Sequence, residues 1–227
     1  MKTNIIGLSK DLTLFKAAIF DMDGLLINSE RIIMQACIHA AREFGINYTQ
    51  NDYVQLIGRS APDSTQVMTM QLGGVNNFTQ IMNRVDEILA DSGNYFPLKI
   101  GALEIIKHFH AQGIPCGVAS SSYQDIITDR LSKVGILDYF SVITGGEEVK
   151  RGKPHPDIYL LAIEKLGVTA PECIAFEDSE LGARAAIAAG LKVVVVPDLK
   201  QPSDYVNKNC YQVLESLSDA HQLLSTY

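Results

Sequence analysis

The hydrophobic positions of this chain follow two rhythms that alternate along its length. Short, mostly apolar runs at 17–20, 115–119, 141–144, 173–176 and 193–196 are strand-sized and lack a polar face, the pattern of strands buried on both sides of a sheet. Between them, apolar residues recur every three to four positions at 102–112, 123–134, 157–166 and 180–189, which predicts helices. Each of these segments ends at a glycine, Gly113, Gly135, Gly167 and Gly190, the residue suited to the position just past a last helical turn. Strands alternating with helices predict an α/β protein built on a parallel sheet.

The segment 29–95 breaks that rhythm. It contains no strand pattern, yet Ile32, Ile33, Ala36, Cys37, Ala40, Ala41 and Phe44 share a helical spacing. Further helices are predicted at 62–72, with Pro62 as the first helical residue, and at 79–91. An all-α unit over 29–96 is therefore inserted into an α/β core made of 1–28 and 97–227. Its hinges are expected at Asn28 to Glu30 and at Phe96 to Gly101.

Composition narrows the class. A chain of 227 residues with 47% hydrophobic content can bury a sizeable core and is not disordered. The net charge of −7 and the absence of a basic run argue against nucleic acid as a ligand. The longest apolar stretches, such as Val193 to Val196, are far short of the roughly 20 residues a membrane helix needs. Lys2, Lys10, Asp11 and Lys16 interrupt the N-terminus, so no signal-peptide core forms there. Cys37, Cys116, Cys173 and Cys210 are scattered without a C-x-x-C pair, which points to reduced thiols and a cytoplasmic protein.

The chemistry lies just after the strands. Asp21 and Asp23 follow the run Ala17 to Phe20, where two carboxylates from one strand tip can address one point. Like charges that close repel unless a cation or a proton intervenes, and Mg²⁺ suits one or two carboxylates plus phosphate oxygens. Taken alone, the pair also reads as a solvated acidic turn. The other tips decide: Ser120-Ser121-Ser122 follows Ala119, Gly152-Lys153-Pro154 follows the third strand, and Glu177-Asp178-Ser179 follows Phe176. Hydroxyl and ammonium donors beside acidic metal ligands complement a phosphoryl group.

Other motifs fail. An EF-hand loop starting at Asp21 would need glycine and glutamate where Leu26 and Ile32 stand. A phosphate loop through Gly152-Lys153 has Glu147 in place of its first glycine and Pro154 after the lysine, and no G-x-G dinucleotide signature occurs. His155 reads as a loop residue fixing its turn, and His39, His108, His110 and His221 lack metal-ligand spacing.

In order, FDMDG, VASSS, GKPHPD and FEDSELG resemble the four motifs of the haloacid dehalogenase superfamily of phosphotransferases, over about 17–197. The likeness is closest to the branch holding β-phosphoglucomutase and small-metabolite phosphatases. It implies a Rossmann-like parallel-sheet core with an α-helical cap. It also implies a Mg²⁺-dependent phosphomonoester hydrolase acting on a small phosphorylated metabolite, a sugar phosphate or nucleotide-like ester, through an aspartyl-phosphate. By this resemblance Asp21 is the nucleophile and Asp23 the general acid and base. Mg²⁺ is held by Asp21, the main-chain carbonyl of Asp23 and Asp178, with Glu177 either a ligand or a partner behind the ligands. Ser120, Ser121 and Lys153 hold phosphoryl oxygens, although Ser121 and Ser122 also read as caps of the following helix. Arg59 is either a solvated arginine after a helix end or a cap contact to substrate.

Two alternatives stand beside the hydrolase. In a mutase, the assisting cap histidine and arginine fall, by ungapped alignment, on Ile33 and Ala61, and both departures argue against mutase activity. Asn28 replaces an aspartate common in relatives. The other alternative is a catalytically silent binding module on the same fold, which would make the retained set Asp21, Asp23, Ser120, Lys153 and Asp178 a coincidence.

Overall fold

The computed structural model describes residues 15–225, with side chains to residue 222. The reading of Lys2, Lys10 and Asp11, and the first part of the 1–28 segment, lie outside the described residues. The element order is β1 Ala17–Phe20, α1 Ser29–Glu43, α2 Gln50–Tyr53, α3 Ala61–Gln71, α4 Val75–Asp91, α5 Ala102–Ala111, β2 Cys116–Ala119 and α6 Gln124–Lys133. It continues with β3 Phe140–Thr144, α7 Asp157–Leu166, β4 Cys173–Glu177, α8 Glu180–Ala188, β5 Lys192–Val195, α9 Asp204–Asn209, β6 Gln212–Val213 and α10 Leu217–Ser225.

All six strands are parallel, in the order β3-β2-β1-β4-β5-β6. Side-chain alternation splits β1 between two apolar layers. Ala18 and Phe20 face the layer that contains Ile105 and Phe109 of α5 and Ile127 of α6, while Ala17 and Ile19 face Ile158 and Tyr159 of α7 and Ala185 of α8. Phe20 stacks on Phe176 of β4 with centroids 4.8 Å apart, and Phe109 meets it edge-on at 6.1 Å. Helices on both faces complete the three-layer, Rossmann-like sandwich expected of a parallel sheet. Gly113, Gly135, Gly167 and Gly190 all take positive φ at helix ends, as the sequence implied.

The chain between β1 and β2 is helical. α1 and α4 pair through Met34, Cys37 and Ala41 on one side and Ile81, Val85 and Leu89 on the other, residues spaced to share one face of each helix. Two predicted bounds shift. α4 begins at Val75 rather than 79, because its first turn carries Asn76 and Asn77 and so shows little apolar periodicity. Pro62 is the second helical residue of α3, after Ala61, and Ser60 caps that helix by accepting from Asp63 N–H.

The two connections between helical insert and sheet run side by side. Asn28 N–H donates to Pro97 O at 2.8 Å and Lys99 N–H to Leu26 O at 2.9 Å. Both connections are also tied to one core carboxylate: Arg31 of α1 and Lys99 reach Asp198 Oδ1 at 2.8 and 2.7 Å. No helix among the described residues is long and apolar enough to cross a membrane.

Candidate active site

Strand order reverses direction at β1: β2 and β3 lie on one side of it, β4 to β6 on the other. Crevices at such points, beyond the carboxyl ends of the strands, are where open α/β sheets take ligands. Asp21 is the first residue past β1 and Asp178 the first past β4, and Asp21 N–H donates to Phe176 O at 3.0 Å, which holds the two tips together. The chain then turns through Met22 to Ile27, with Leu26 N–H on Met22 O, and Gly24 takes φ +87°. A methyl group at Gly24 would collide with Asp178 Oδ2, so the turn needs glycine for conformation and for space.

Lys153 is buried between two acids. Its Nζ lies 2.6 Å from Asp21 Oδ1 and 2.5 Å from Glu177 Oε1. Glu177 is fully buried and fully engaged: Oε1 also accepts from the Tyr159 hydroxyl at 2.7 Å, and Oε2 accepts from Asp178 N–H, Ser179 N–H and Ser179 Oγ. A methyl group at Gly182 would collide with this carboxylate, which brings α8 close beneath it. Asp178, by contrast, is buried with no donor to its carboxylate among the described residues.

Three carboxylates thus crowd around one ammonium, which contacts two of them. Burial pushes Asp178 well above the usual carboxylate range, and repulsion from Asp21 and Glu177 adds to it. Burial also pushes Asp21 up, against the downward pull of Lys153. The ammonium of Lys153 is held above its ordinary range, since the two acids outweigh the opposite effect of its burial. Asp21, Glu177 and Asp178 can each offer an oxygen within 4.8 Å of the others, a spacing suited to a cation.

Asp23 is held on a different side. Its Oδ1 accepts from Ser29 Oγ and from Arg130 at 2.6 Å each, and its Oδ2 accepts from Ser122 Oγ at 2.8 Å, with Ser120 Oγ at 3.5 Å. The reading of Ser121 and Ser122 as helix caps is overturned. Ser122 is spent on Asp23, and the first-turn N–H of Gln124 is satisfied instead by Glu147 Oε1 at 2.8 Å.

A cavity of about 390 Å³ opens over these tips, lined by Asp21, Asp23, Ser120, Ser121, Lys153 and Asp178 from the core. Glu177 lies beneath, outside the lining. The helical insert supplies an apolar roof that includes Ile33, Leu56, Ile57, Met68 and Met82. Arg59 stands at the wall, with Nε donating to Gln55 O at 2.6 Å. His155 sits in a turn, its N–H on Gly152 O. Cys37 also faces the cavity, but burial pushes its thiol up to about 12, so it is no nucleophile at neutral pH. All four cysteines are free.

Sequence reasoning missed several of these residues. Glu30 lines the cavity, and burial, with Asp23 adding to it, raises its carboxyl to about 7. Its position in the expected hinge was the available signal. Tyr159, Ser29 and Arg130 carried none, because their partners are distant in sequence or reached only through the turn after β1.

Comparison with known proteins shows the family of the chain. The profile of the haloacid dehalogenase-like hydrolases matches residues 18–196. The phosphorylated carbohydrates phosphatase of Thermotoga maritima is 30% identical over 213 residues, 92% of this chain and 90% of its own length. The validoxylamine A 7′-phosphate phosphatase of Streptomyces hygroscopicus subsp. limoneus is 30% identical over 186 residues, 78% of this chain and 84% of its own length. In three dimensions, a hydrolase of Deinococcus radiodurans R1 crystallised with phosphate and sodium superposes with a TM-score of 0.75, at 24% identity over 94% of this chain and 99% of its own, a likeness of fold.

Proposed function

The chain belongs to the haloacid dehalogenase-like hydrolase family and is a phosphatase, and we propose that it cleaves a small sugar-like phosphomonoester through a covalent intermediate on Asp21. The observation that carries this reading is the convergence of Asp21, Asp23, Lys153 and Asp178 in the lining of one cavity, with Lys153 paired to Asp21.

Lys153 occupies Asp21 Oδ1, which leaves Oδ2 as the atom to attack phosphorus. An O–P bond forms at Asp21 as the bond from phosphorus to the leaving oxygen breaks, and protonated Asp23 gives its proton to that oxygen. Asp23, now ionised, takes a proton from water as the water attacks the phosphoryl group, and Asp21 departs as carboxylate. Ser120, Ser121 and Lys153 orient the phosphoryl oxygens and oppose their charge.

The residues fit a divalent cation. Asp178 is a buried carboxylate without a donor among the described residues, it lies beside Asp21, and two neighbouring buried acids are stabilised as anions by a cation between them. Asp21, Asp178 and the Asp23 carbonyl would hold Mg²⁺, which when bound would neutralise charge at the phosphoryl group. Glu177, with both oxygens already taken by protein donors, serves to orient Lys153 rather than to bind metal.

Residues 29–96 act as the cap, whose apolar roof excludes water and contacts the leaving group. Ile33 and Ala61 both line the cavity, so the positions at which a mutase would place its histidine and arginine face the substrate without a polar group. This favours hydrolysis over transfer. The name of the Thermotoga maritima relative supports a phosphorylated carbohydrate as substrate, and the free thiols accord with action in the cytoplasm.

The test is hydrolysis of sugar phosphates, nucleotides and phosphoglycolate with Mg²⁺, followed by acid quench and peptide mapping. Turnover of a monoester with phosphate recovered on the peptide holding Asp21 is expected. Turnover with no such adduct, or phosphate on another residue, would refute the covalent assignment.

A further inference from the structure

We propose that Arg130 is a positioning residue for Asp23, fixing its carboxylate so that Oδ2 alone faces the leaving oxygen. The proposal rests on the acid–base reading of Asp23 given above. Arg130 comes from α6, 107 positions away in sequence, and its Nη1 meets Asp23 Oδ1 at 2.6 Å. Both residues are half-buried: each side chain is 17% exposed.

Three features point to positioning rather than to substrate binding. Arg130 does not line the cavity, whereas Asp23 does, so the guanidinium reaches the carboxylate from behind. Ser29 Oγ donates to the same oxygen, Oδ1, so that atom is doubly held while Oδ2 keeps only the Ser122 hydroxyl within 3 Å. Finally, Arg130 is itself braced, since its guanidinium carbon lies 4.7 Å from the ring centroid of buried Phe96. Phe96 belongs to the second connection between cap and core, and Ser29 begins the helix that follows the first. The carboxylate is therefore referenced to both connections at once.

A carboxylate held only by the rotatable hydroxyls of Ser29 and Ser122 could turn and present either oxygen. A planar cation backed by an aromatic ring removes that freedom, and small losses of alignment between reacting groups are costly to rate, with about 10²-fold for a misplacement near 1 Å. The loss should appear only where proton donation limits the reaction.

The experiment compares single-turnover phosphorylation by an alkyl phosphate and by an activated aryl phosphate in wild type, Arg130→Met, Arg130→Lys, Asp23→Asn and the Arg130→Met/Asp23→Asn double variant, each with Mg²⁺. Arg130→Met should slow the alkyl ester by about 10-fold or more and the aryl ester by less than about 3-fold, with KM little changed, and Arg130→Lys should recover part of the loss. In the Asp23→Asn background, Arg130→Met should add almost nothing. Equal losses on both esters, a change confined to KM, or a full additional loss in the double variant would overturn the role of Arg130 while leaving that of Asp23 intact. If Asp23→Asn itself shows no leaving-group dependence, the acid–base reading falls and this proposal with it. Should Arg130→Met not fold, Arg130→Lys decides alone: a loss on the alkyl ester exceeding that on the aryl ester supports the proposal, and equal losses refute it.

Discussion

Lys153 Nζ stands 2.6 Å from Asp21 Oδ1, an ion pair across 132 positions of sequence in which the lysine side chain is only 2% exposed. The ammonium is therefore part of the fold as well as of the site. Lys153→Ala strands Asp21 and Glu177 without a counter-charge, and breaking such a buried pair destabilises by about 3–5 kcal/mol. We expect chemical denaturation at pH 7 to show that loss, and hydrolysis to fall similarly for alkyl and aryl phosphates, because phosphoryl contact is lost whatever the leaving group. A stable variant, or one impaired only on alkyl esters, would contradict this.

Asp21→Asn should abolish turnover and leave the fold intact. Asparagine preserves shape and can still accept from Lys153, yet it offers no carboxylate oxygen to attack phosphorus. Circular dichroism and steady-state hydrolysis on the same sample check it; substantial residual activity would remove Asp21 from its assigned role.

Metal dependence should be strict. Chelator treatment should eliminate turnover, Mg²⁺ should restore it, and Ca²⁺ should inhibit, because its larger and looser shell misaligns the reacting groups. Asp178→Ala should move half-saturation to a much higher Mg²⁺ concentration. In the wild type, Mg²⁺ should also raise the melting temperature of the chelated protein, since it binds the native state. A melting curve indifferent to Mg²⁺ would argue that the acidic cluster holds no ion.

Glu30 carries a pH signature. Its folded-state pKa is raised from 4.5 to about 7, first by burial and then by Asp23, so the native protein keeps a proton that the unfolded chain releases. Stability of the metal-free protein should therefore decline as pH rises from 4.5 to 7 and level off above, by on the order of 3 kcal/mol from this group. Glu30→Gln should flatten that slope. Denaturation midpoints across the window decide it, and an unchanged slope in the variant would show that Glu30 titrates normally.

Much of the architecture was legible because the central strands are buried on both faces and advertise themselves as apolar runs. Elements at the margin were not. β6 is only Gln212 and Val213, half-buried and paired on one side to β5, too short to carry a period. α9, a six-residue helix after Pro202 and Ser203, is likewise too short to show a period, whereas α10 was missed although Leu217, Ala220 and Leu224 recur at a helical spacing in the sequence. At the site, each strand tip declared its chemistry, since the residues that follow a buried strand are polar for a reason. What sequence could not supply was the division of labour among hydroxyls and carboxylates. That Ser122 rather than a backbone cap engages Asp23, or that Tyr159 helps fill Glu177, depends on tertiary distances that no spacing encodes.

The register of β1 has a consequence for how the protein comes into being. Ala18 pairs with Cys116 and Ala17 with Cys173, so β1, the first strand among the described residues, finds its neighbour β2 only after the helical insert has been synthesised, and its neighbour β4 later still. Contacts so distant along the chain form late and slowly. During translation the helices of 29–91 have local partners, whereas the strand that leads into Asp21 waits for β2 and β4. A fragment ending before β4 would lack the strand that holds Asp21 N–H, the acids at 177 and 178, and half of the apolar sandwich. A chain ended before β4 thus carries Asp21 and Lys153 without Glu177 and Asp178, and no hydrolysis is expected of it.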